Sequence, residues 1–150
     1  MTEPLISAEN LAKHFDVGGG GLFLRGKTSK LRAVDGVAIS IMPGETLGLV
    51  GESGCGKSTL GRLLIRLLDP TAGNIRFQGQ EITGLGRAAM REFRRSMQII
   101  FQDPYSSLNP RMTIGEAIME PMRVHKLHGN DNTRKEKTID LLERVSLKAE

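Results

Sequence analysis

The sequence predicts an α/β fold in which a short strand, a glycine-rich loop and an amphipathic helix follow one another. Thr46–Val50 is a short apolar run that suits a strand buried on both faces. Directly after it, Gly51–Ser58 reads G-x-x-x-x-G-K-S, the spacing of a phosphate-binding loop. Leucines then recur at positions 60, 63, 64, 67 and 68, which predicts a helix with one apolar face and with Arg62 and Arg66 on the opposite one.

The glycine-rich loop predicts binding of a nucleoside triphosphate. In such loops backbone N–H groups face the α- and β-phosphates, so Lys57 is expected to reach the β- and γ-phosphates and Ser58 to hold Mg²⁺. The glycines allow a tight turn and leave no Cβ between backbone and phosphate. The N-terminus of the following helix adds its dipole and its free N–H groups. The alternative, a glycine-rich turn followed by chance by Lys-Ser, does not explain why strand, loop and helix come in this order.

Turn residues and apolar patterns predict the remaining elements. Before the loop, we expect strands at Leu5–Phe15, Leu31–Val34 and Val37–Ile41, a flexible segment at Gly18–Gly21 and a type II turn at Pro43-Gly44. After the loop, we expect the following elements: an end of the helix at Asp69, before Pro70; a hairpin of Asn74–Phe77 with its turn at Gln78–Gln80, with Ile75 and Phe77 on one face; a helix at Arg87–Arg95; a strand at Met97–Phe101; a polar loop at Gln102–Arg111; and helices at Thr113–Val124 and Asn132–Val145.

Composition and charge exclude several classes of function. The chain is 39% hydrophobic and 25% charged, with a formal net charge of +4, which is ordinary for one globular domain. The basic runs at 91–95 and 134–137 lack interleaved aromatic residues, so we expect no nucleic-acid binding. His125 and His128 have no third ligand nearby, so we expect no metal site there.

The single cysteine and the apolar runs bear on the compartment. Because Cys55 is the one cysteine, no internal disulfide can form and a reducing compartment is expected. We interpret Cys55 as a small residue at a variable loop position rather than as a redox group. No apolar run approaches the roughly 20 residues of a membrane span, and the N-terminus lacks the basic region of a secretion signal. We therefore expect a cytosolic chain that meets a membrane only through a partner.

Gln102 is a second candidate for the site, because it directly follows the apolar run Ile99–Phe101. Ligands of open α/β sheets lie beyond the carboxyl ends of strands. An amide oxygen can bind Mg²⁺ and orient an attacking water, although an amide cannot take the water's proton. The position alone also fits a polar residue that merely ends a strand.

Longer segments resemble a known family. Gly51–Thr59 and Ile99–Arg111 look like the ATP-binding subunit of an ABC transporter, and the second segment is similar, more narrowly, to the oligopeptide/dipeptide importer group. Arg32–Val37 and Gly44–Ser53 resemble the same group. The likeness runs from about Leu5 to the last residue. It implies a P-loop NTPase of the ABC ATPase type, with antiparallel strands and the P-loop core in residues 1–101 and the Q-loop with the start of a helical subdomain in residues 102–150.

The resemblance also implies roles for individual residues, with ATP and Mg²⁺ as cofactors. Lys57 and Gln102 would be catalytic, and Ser58 and Gln102 would contact the metal. Phe15 matches the place of an aromatic residue that stacks on adenine, and the reading of Phe15 as a core residue that ends a strand stays open. The expected ATP-binding residues of the loop are Gly51, Glu52, Ser53, Gly54, Cys55, Gly56, Lys57, Ser58 and Thr59.

The same resemblance implies partners and a location. Transmembrane permease subunits would dock on the segment after Gln102, and a second ABC ATPase subunit, identical or different, would complete each ATP site. The expected function is to energise peptide import from the cytoplasmic face of the cell membrane, as a peripheral subunit. Nickel or glutathione import is an alternative with the same features.

Several family motifs are missing from the sequence. There is no Leu-Ser-Gly-Gly-Gln-type signature, no apolar strand ending in Asp-Glu, and no switch histidine, so the chain resembles the first half of an ABC ATPase. We therefore expect a truncated domain with little hydrolysis of its own and with apolar strand faces exposed. A nucleotide-binding fragment or regulator is the second class of function. A small GTPase is disfavoured because Asn-Lys-x-Asp is absent, and a DNA-repair or translation ATPase is disfavoured by Phe101–Arg111.

Overall fold

The computed structural model describes residues 3–17, 29–103 and 107–147, in two compact units, 1–98 and 99–150. The first unit contains β1 (Ile6–Val17), β2 (Ser29–Ile41), α1 (Lys57–Leu64), β3 (Ala72–Phe77), β4 (Gln80–Glu81) and α2 (Arg87–Phe93). The second contains α3 (Ile114–Val124) and α4 (Asp131–Arg144). The predicted flexible glycines Gly18–Gly21, and Pro104–Ser106 of the predicted polar loop, lie outside the described residues.

The sheet of the first unit is antiparallel, with the strand order β2-β1-β3-β4. The predicted first strand is confirmed, and it pairs Ile6 with Ile41 of β2 and with Phe77 of β3. The two strands predicted between positions 31 and 41 are one continuous strand, β2. Its pairing with β1 shifts register opposite the segment that contains Gly36, whose φ is +67°. A bulge accommodates that residue without ending the strand.

The β3–β4 hairpin confirms the predicted turn. Gln78 and Gly79 both have positive φ, at 49° and 75°, as the two-residue turn of a tight hairpin requires. Ile75 and Phe77 are buried on the same face of β3. Phe77 meets Phe93 of α2 edge-to-face, with the ring centroids 6.2 Å apart, so the hairpin and α2 share one core.

Helix α1 packs on this sheet and positions the glycine-rich loop. Leu60 and Leu63 are buried, as the leucine periodicity predicts. The completely buried side chains of the core come from β1, α1, β3, α2 and the turn after β4, and they are Leu11, Leu63, Ile75, Ile82 and Met90. The loop that precedes α1 is therefore attached to a helix that contributes to the buried core.

The end of α1 differs from the prediction. The helix ends at Leu64 rather than at Asp69, because Arg66 has a left-handed backbone (φ 54°) and the N–H groups of Arg66 and Leu67 return to the carbonyls of Leu63 and Arg62, each at 2.9 Å. These two bonds define a Schellman motif. The chain thus leaves the helix before Arg66, so the side chain of Arg66 does not lie on the predicted face of the helix.

Arg66 is 8% exposed, so its predicted place on the solvent face of the helix is wrong. Its Nε donates to the carbonyl of Ile82 at 3.0 Å and its Nη2 donates to that of Leu85 at 3.1 Å. Its Nη1 pairs with Asp69. The guanidinium thereby connects the end of α1 to the segment before α2, and its buried donors are satisfied.

Two predicted strands are absent. Thr46–Val50 and Met97–Phe101 have no strand pairing, and both expose apolar side chains, with Val50 at 92% and Ile100 at 97%. A strand needs hydrogen-bonded neighbours as well as suitable side chains. Within the part of the chain that the structure describes, neither segment has such a neighbour, so the apolar pattern alone does not produce a strand.

The second unit is a helix pair that matches the predicted helices to within one residue at each end. Thr113 and Glu116 form a capping box at the start of α3, and Asn130 caps α4. Asp131 accepts hydrogen bonds from Arg123 (Nη2, 2.9 Å) and Arg134 (Nη1, 2.6 Å). These bonds lower the pKa of Asp131.

Candidate functional site

A tight turn leads the chain from β2 toward the loop. The N–H of Glu45 donates to the carbonyl of Met42 at 3.1 Å, and Gly44 has a φ of +77°, which confirms the predicted type II turn at Pro43-Gly44. The carboxylate of Glu45 also accepts the N–H of Met42 at 2.6 Å. Two hydrogen bonds between Met42 and Glu45 therefore stabilise the turn.

The loop itself has two left-handed glycines. Gly54 and Gly56 have φ values of 83° and 97°, a conformation in which other residues are strained. Gly56 is also crowded, because a Cβ at this position would overlap the carbonyl oxygen of Ala33 and lie 3.3 Å from its carbonyl carbon. A Cβ on Gly54 would meet nothing within 4 Å. Gly56 thus fixes the end of the loop against β2.

The side chain of Lys57 folds back over the loop. Its Nζ donates to the carbonyls of Gly51 (2.7 Å) and Glu52 (2.6 Å) and lies 3.5 Å from Sγ of Cys55. The cation is thereby held at the loop by neutral acceptors, with no carboxylate among them. An anion that entered the loop would meet a positive charge already in place.

The start of α1 leaves its first N–H groups available. Gly56, the N-cap, provides no side chain to accept them, and the first turn contains no acidic residue. The first hydrogen bond that closes the helix runs from the N–H of Leu60 to the carbonyl of Gly56, at 2.8 Å. Within the described residues, the N–H groups of residues 57–59 have no acceptor, so they can donate hydrogen bonds to an anion. These donors, the cation and the hydroxyl of Ser58 fit a phosphate chain with bound Mg²⁺.

The strand register relates Phe15 to the loop. Gly56 lies against Ala33 of β2, and Leu31, two residues further along that strand, pairs with Phe15 of β1. Two residues of a strand span about 7 Å, so the pairing places the backbone of Phe15 in the neighbourhood of the end of the loop. Phe15 is 37% exposed and is not part of the buried core. Sequence reasoning missed its neighbour Lys13, whose Nζ lies 5.3 Å from the ring centroid.

Gln102 is placed in the second unit, where it is exposed in a bend of the chain. Its pairing with the loop, which belongs to the first unit, stays a prediction, as does the functional division of the chain after residue 101. Among residues 3–17, 29–103 and 107–147, no group of three or more His, Cys, Asp and Glu side chains could hold a metal ion. The hydroxyl of Ser58 remains the expected metal ligand at the loop.

The second unit has an apolar groove between its two helices, with a volume of about 710 Å³. Five of its ten lining residues have apolar side chains, and one acidic and one basic residue, Glu116 and Lys135, also line it. The apolar side chains are Ile114, Met119, Ile139, Leu142 and Leu147. This groove lies in the region that the resemblance assigns to the permease partner.

Comparison with known proteins decides the family. The sequence model of the ABC transporter family matches residues 34–150. The chain belongs to the ABC transporter family. The oligopeptide transport ATP-binding protein OppF of Bacillus subtilis is 46% identical over 151 residues, which cover 100% of this chain and 47% of that protein. The glutathione import ATP-binding protein GsiA of Pectobacterium atrosepticum is 46% identical over 148 residues, which cover 99% of this chain and 23% of that protein.

A solved structure shows the same fold. The ATP-binding cassette MJ0796, in a dimeric post-hydrolysis state bound to ADP and Pi, superposes with a TM-score of 0.75 at 23% identity, over 96% of this chain and 58% of that one. The predicted fold class, a P-loop NTPase of the ABC ATPase type, is confirmed. The chain spans less than half the length of OppF and GsiA. None of the helices in the described residues has the length and apolar character needed to cross a membrane.

Proposed function

We propose that this ABC transporter family chain binds ATP with Mg²⁺ at residues 51–59. The observation that carries the proposal is the combination at the loop of a preplaced ammonium, Lys57 Nζ, with the free N–H groups at the start of α1. Backbone donors and a cation that need no rearrangement of the fold are suited to a triphosphate. Bound Mg²⁺ would supply charge stabilisation for the phosphate oxygens.

Individual residues would act as follows. Lys57 exchanges the carbonyls of Gly51 and Glu52 for oxygens of the phosphate chain, an exchange that favours charged acceptors over neutral ones. Ser58 would hold the metal through its hydroxyl, and Phe15 would stack on the adenine. The role we propose for Gln102 is to orient the attacking water, as a neutral amide can.

We also propose that the chain is part of an importer subunit that energises peptide uptake from the cytoplasmic face of the membrane. The support is the family membership together with the likeness to OppF, an oligopeptide transport ATP-binding protein. A permease would dock on the second unit, for which its apolar groove is the candidate surface. A second ABC ATPase subunit would face the loop, and the dimeric state of MJ0796 supports this arrangement.

Glutathione import is the second candidate, because GsiA is as similar to this chain as OppF is. Uptake by the complete importer in sealed vesicles separates the two solutes. If a labelled oligopeptide accumulates to the same level with and without excess glutathione, peptide import is supported. If only glutathione accumulates, the second candidate is supported.

Cys55 offers a direct test of ATP binding at the loop, because this exposed thiol lies 3.5 Å from Lys57 Nζ. Saturating Mg-ATP should slow alkylation of Cys55 severalfold, whereas adenosine, which has no phosphate, should not. Lys57→Ala should remove the protection. Lys30→Ala, a change of an exposed lysine on β2, is the matched control and should keep it. Equal labelling rates with and without Mg-ATP would contradict the proposal.

A further inference from the structure

Lys13 connects β1 with the segment that follows α1. It lies on β1, its Nζ donates to the backbone carbonyl of Asp69 at 2.8 Å, and the same Nζ lies 5.3 Å from the centroid of the Phe15 ring. Asp69 follows the Schellman motif at the end of α1, where Arg66 ties the chain to Ile82 and Leu85. The ammonium is therefore anchored to a backbone atom of the segment that Arg66 links to Ile82 and Leu85.

This anchoring restricts the Phe15 ring. Phe15 is 37% exposed near the end of β1, where a side chain without a partner samples several rotamers. A cation near an aromatic ring is attracted to its π-face. Because Lys13 Nζ is held by the Asp69 carbonyl, the ring is held in turn, and the ring surface away from Lys13 remains available.

We propose that Lys13 is a positioning residue for recognition of the adenine base, an inference that rests on the proposed ATP binding and on Phe15 as the stacking residue. Lys13 orders the ring before the nucleotide arrives, so binding does not include the entropic cost of ordering it. The cation also withdraws electron density from the face that meets the base, which strengthens stacking with an electron-rich purine. Lys13 acts through Phe15 and not on the phosphates.

This role predicts a difference between two ligands. ATP uses the loop and the ring, whereas inorganic tripolyphosphate uses only the loop. Lys13→Met keeps most of the aliphatic stem and removes the charge. It should weaken binding of Mg-ATP about threefold to tenfold and leave binding of magnesium tripolyphosphate unchanged. A general electrostatic effect of losing one positive charge would weaken both ligands.

The experiment measures the dissociation constants of both ligands by calorimetry for the wild type, Lys13→Met, Lys13→Arg, Phe15→Leu and the control Lys30→Met. Lys13→Arg should retain ATP affinity, because a guanidinium also donates to a carbonyl and stacks on a ring. Phe15→Leu should show the same selective loss as Lys13→Met. Thermal melts identify any variant that weakens binding by unfolding.

Each outcome decides the inference. A selective loss of ATP binding that Lys13→Arg restores supports it. Equal losses for both ligands, or no loss for either, overturn it while leaving nucleotide binding at the loop intact. A wild-type protein that binds neither ligand refutes the proposed function itself, and the role of Lys13 with it.

Discussion

Gly56→Ala is the substitution that most sharply tests the geometry of the loop. Gly56 has a left-handed backbone (φ 97°), and an added Cβ would overlap the carbonyl oxygen of Ala33 on β2. Gly54 also has a left-handed backbone (φ 83°), but a Cβ there would meet nothing within 4 Å. The two alanine variants therefore share the backbone strain, and only one of them has the collision.

The expected magnitudes follow from these two contributions. A non-glycine residue in a sparsely populated backbone region costs about 1–3 kcal/mol, and this applies to both variants. Forcing an extra carbon into a closely packed place adds about 1–3 kcal/mol, and this applies to Gly56→Ala alone. The gain from restricting the unfolded chain, about 0.4–1 kcal/mol, is common to both and cancels in the comparison. Gly56→Ala should therefore be less stable than Gly54→Ala by about 1–3 kcal/mol.

Urea unfolding monitored by circular dichroism measures the difference. The midpoint should fall further for Gly56→Ala than for Gly54→Ala, with similar slopes for both variants. Mg-ATP binding provides the second measurement, because a displaced loop should bind the nucleotide more weakly. Equal stabilities of the two variants would refute the idea that the approach of the loop to Ala33 fixes its position.

Three further predictions concern the end of α3, the Asp131 carboxylate and ATP hydrolysis. Lys126→Gly should raise the free energy of unfolding by about 1 kcal/mol, because Lys126 has a left-handed backbone (φ 54°) after α3; lower stability in urea would contradict this. Asp131→Asn should destabilise the protein at pH 7, and the difference in melting temperature between the wild type and the variant should become smaller below about pH 4. Hydrogen bonds from Arg123 and Arg134 lower the pKa of Asp131, so the stability that this carboxylate contributes is lost as the pH falls through its pKa in the folded state. A difference in melting temperature that does not change with pH would contradict this prediction. The 150-residue chain should show negligible steady-state ATP hydrolysis, since it lacks the Asp-Glu pair; robust turnover abolished by Lys57→Ala would exclude this.

Local chemistry explains which parts of the fold could be predicted. The turn at Gln78-Gly79 and the capping box of Thr113 and Glu116 depend on residues close in sequence. The sequence predicts the turn itself, and the capping box lies at the start of a predicted helix. The strand at Thr46–Val50 depends on a hydrogen-bonded neighbour, which the pattern of one segment cannot reveal. The prediction of a strand buried on both faces is therefore wrong for Thr46–Val50, where Val50 is 92% exposed.

The end of α1 shows a second limit of sequence reasoning. The leucine pattern continues through position 68, whereas the backbone turns at Arg66. Glycine usually occupies such a left-handed position, so an arginine there gives no local signal. Its role appears only when the carbonyls of Ile82 and Leu85 are brought beside it.

The candidate site also combines features that local sequence predicts with features that depend on tertiary contacts. The spacing of Gly51–Ser58 predicts a phosphate-binding loop before α1, and this role stays a prediction. The contacts of Lys57 with two loop carbonyls, the approach of Gly56 to Ala33, and the link from Lys13 to Asp69 are tertiary features. The alternation of Lys13 and Phe15 on one strand is the signal that could have suggested their pairing.

The central claim is that the loop at 51–59 binds the phosphates of ATP through backbone N–H groups and Lys57. Titration calorimetry with Mg-ATP, on folded wild-type protein and on Lys57→Ala, tests it most directly. The account predicts saturable binding at one site per chain, with the affinity lowered at least tenfold by the substitution. Absence of binding to the folded wild type, or equal affinity for the two proteins, would contradict it.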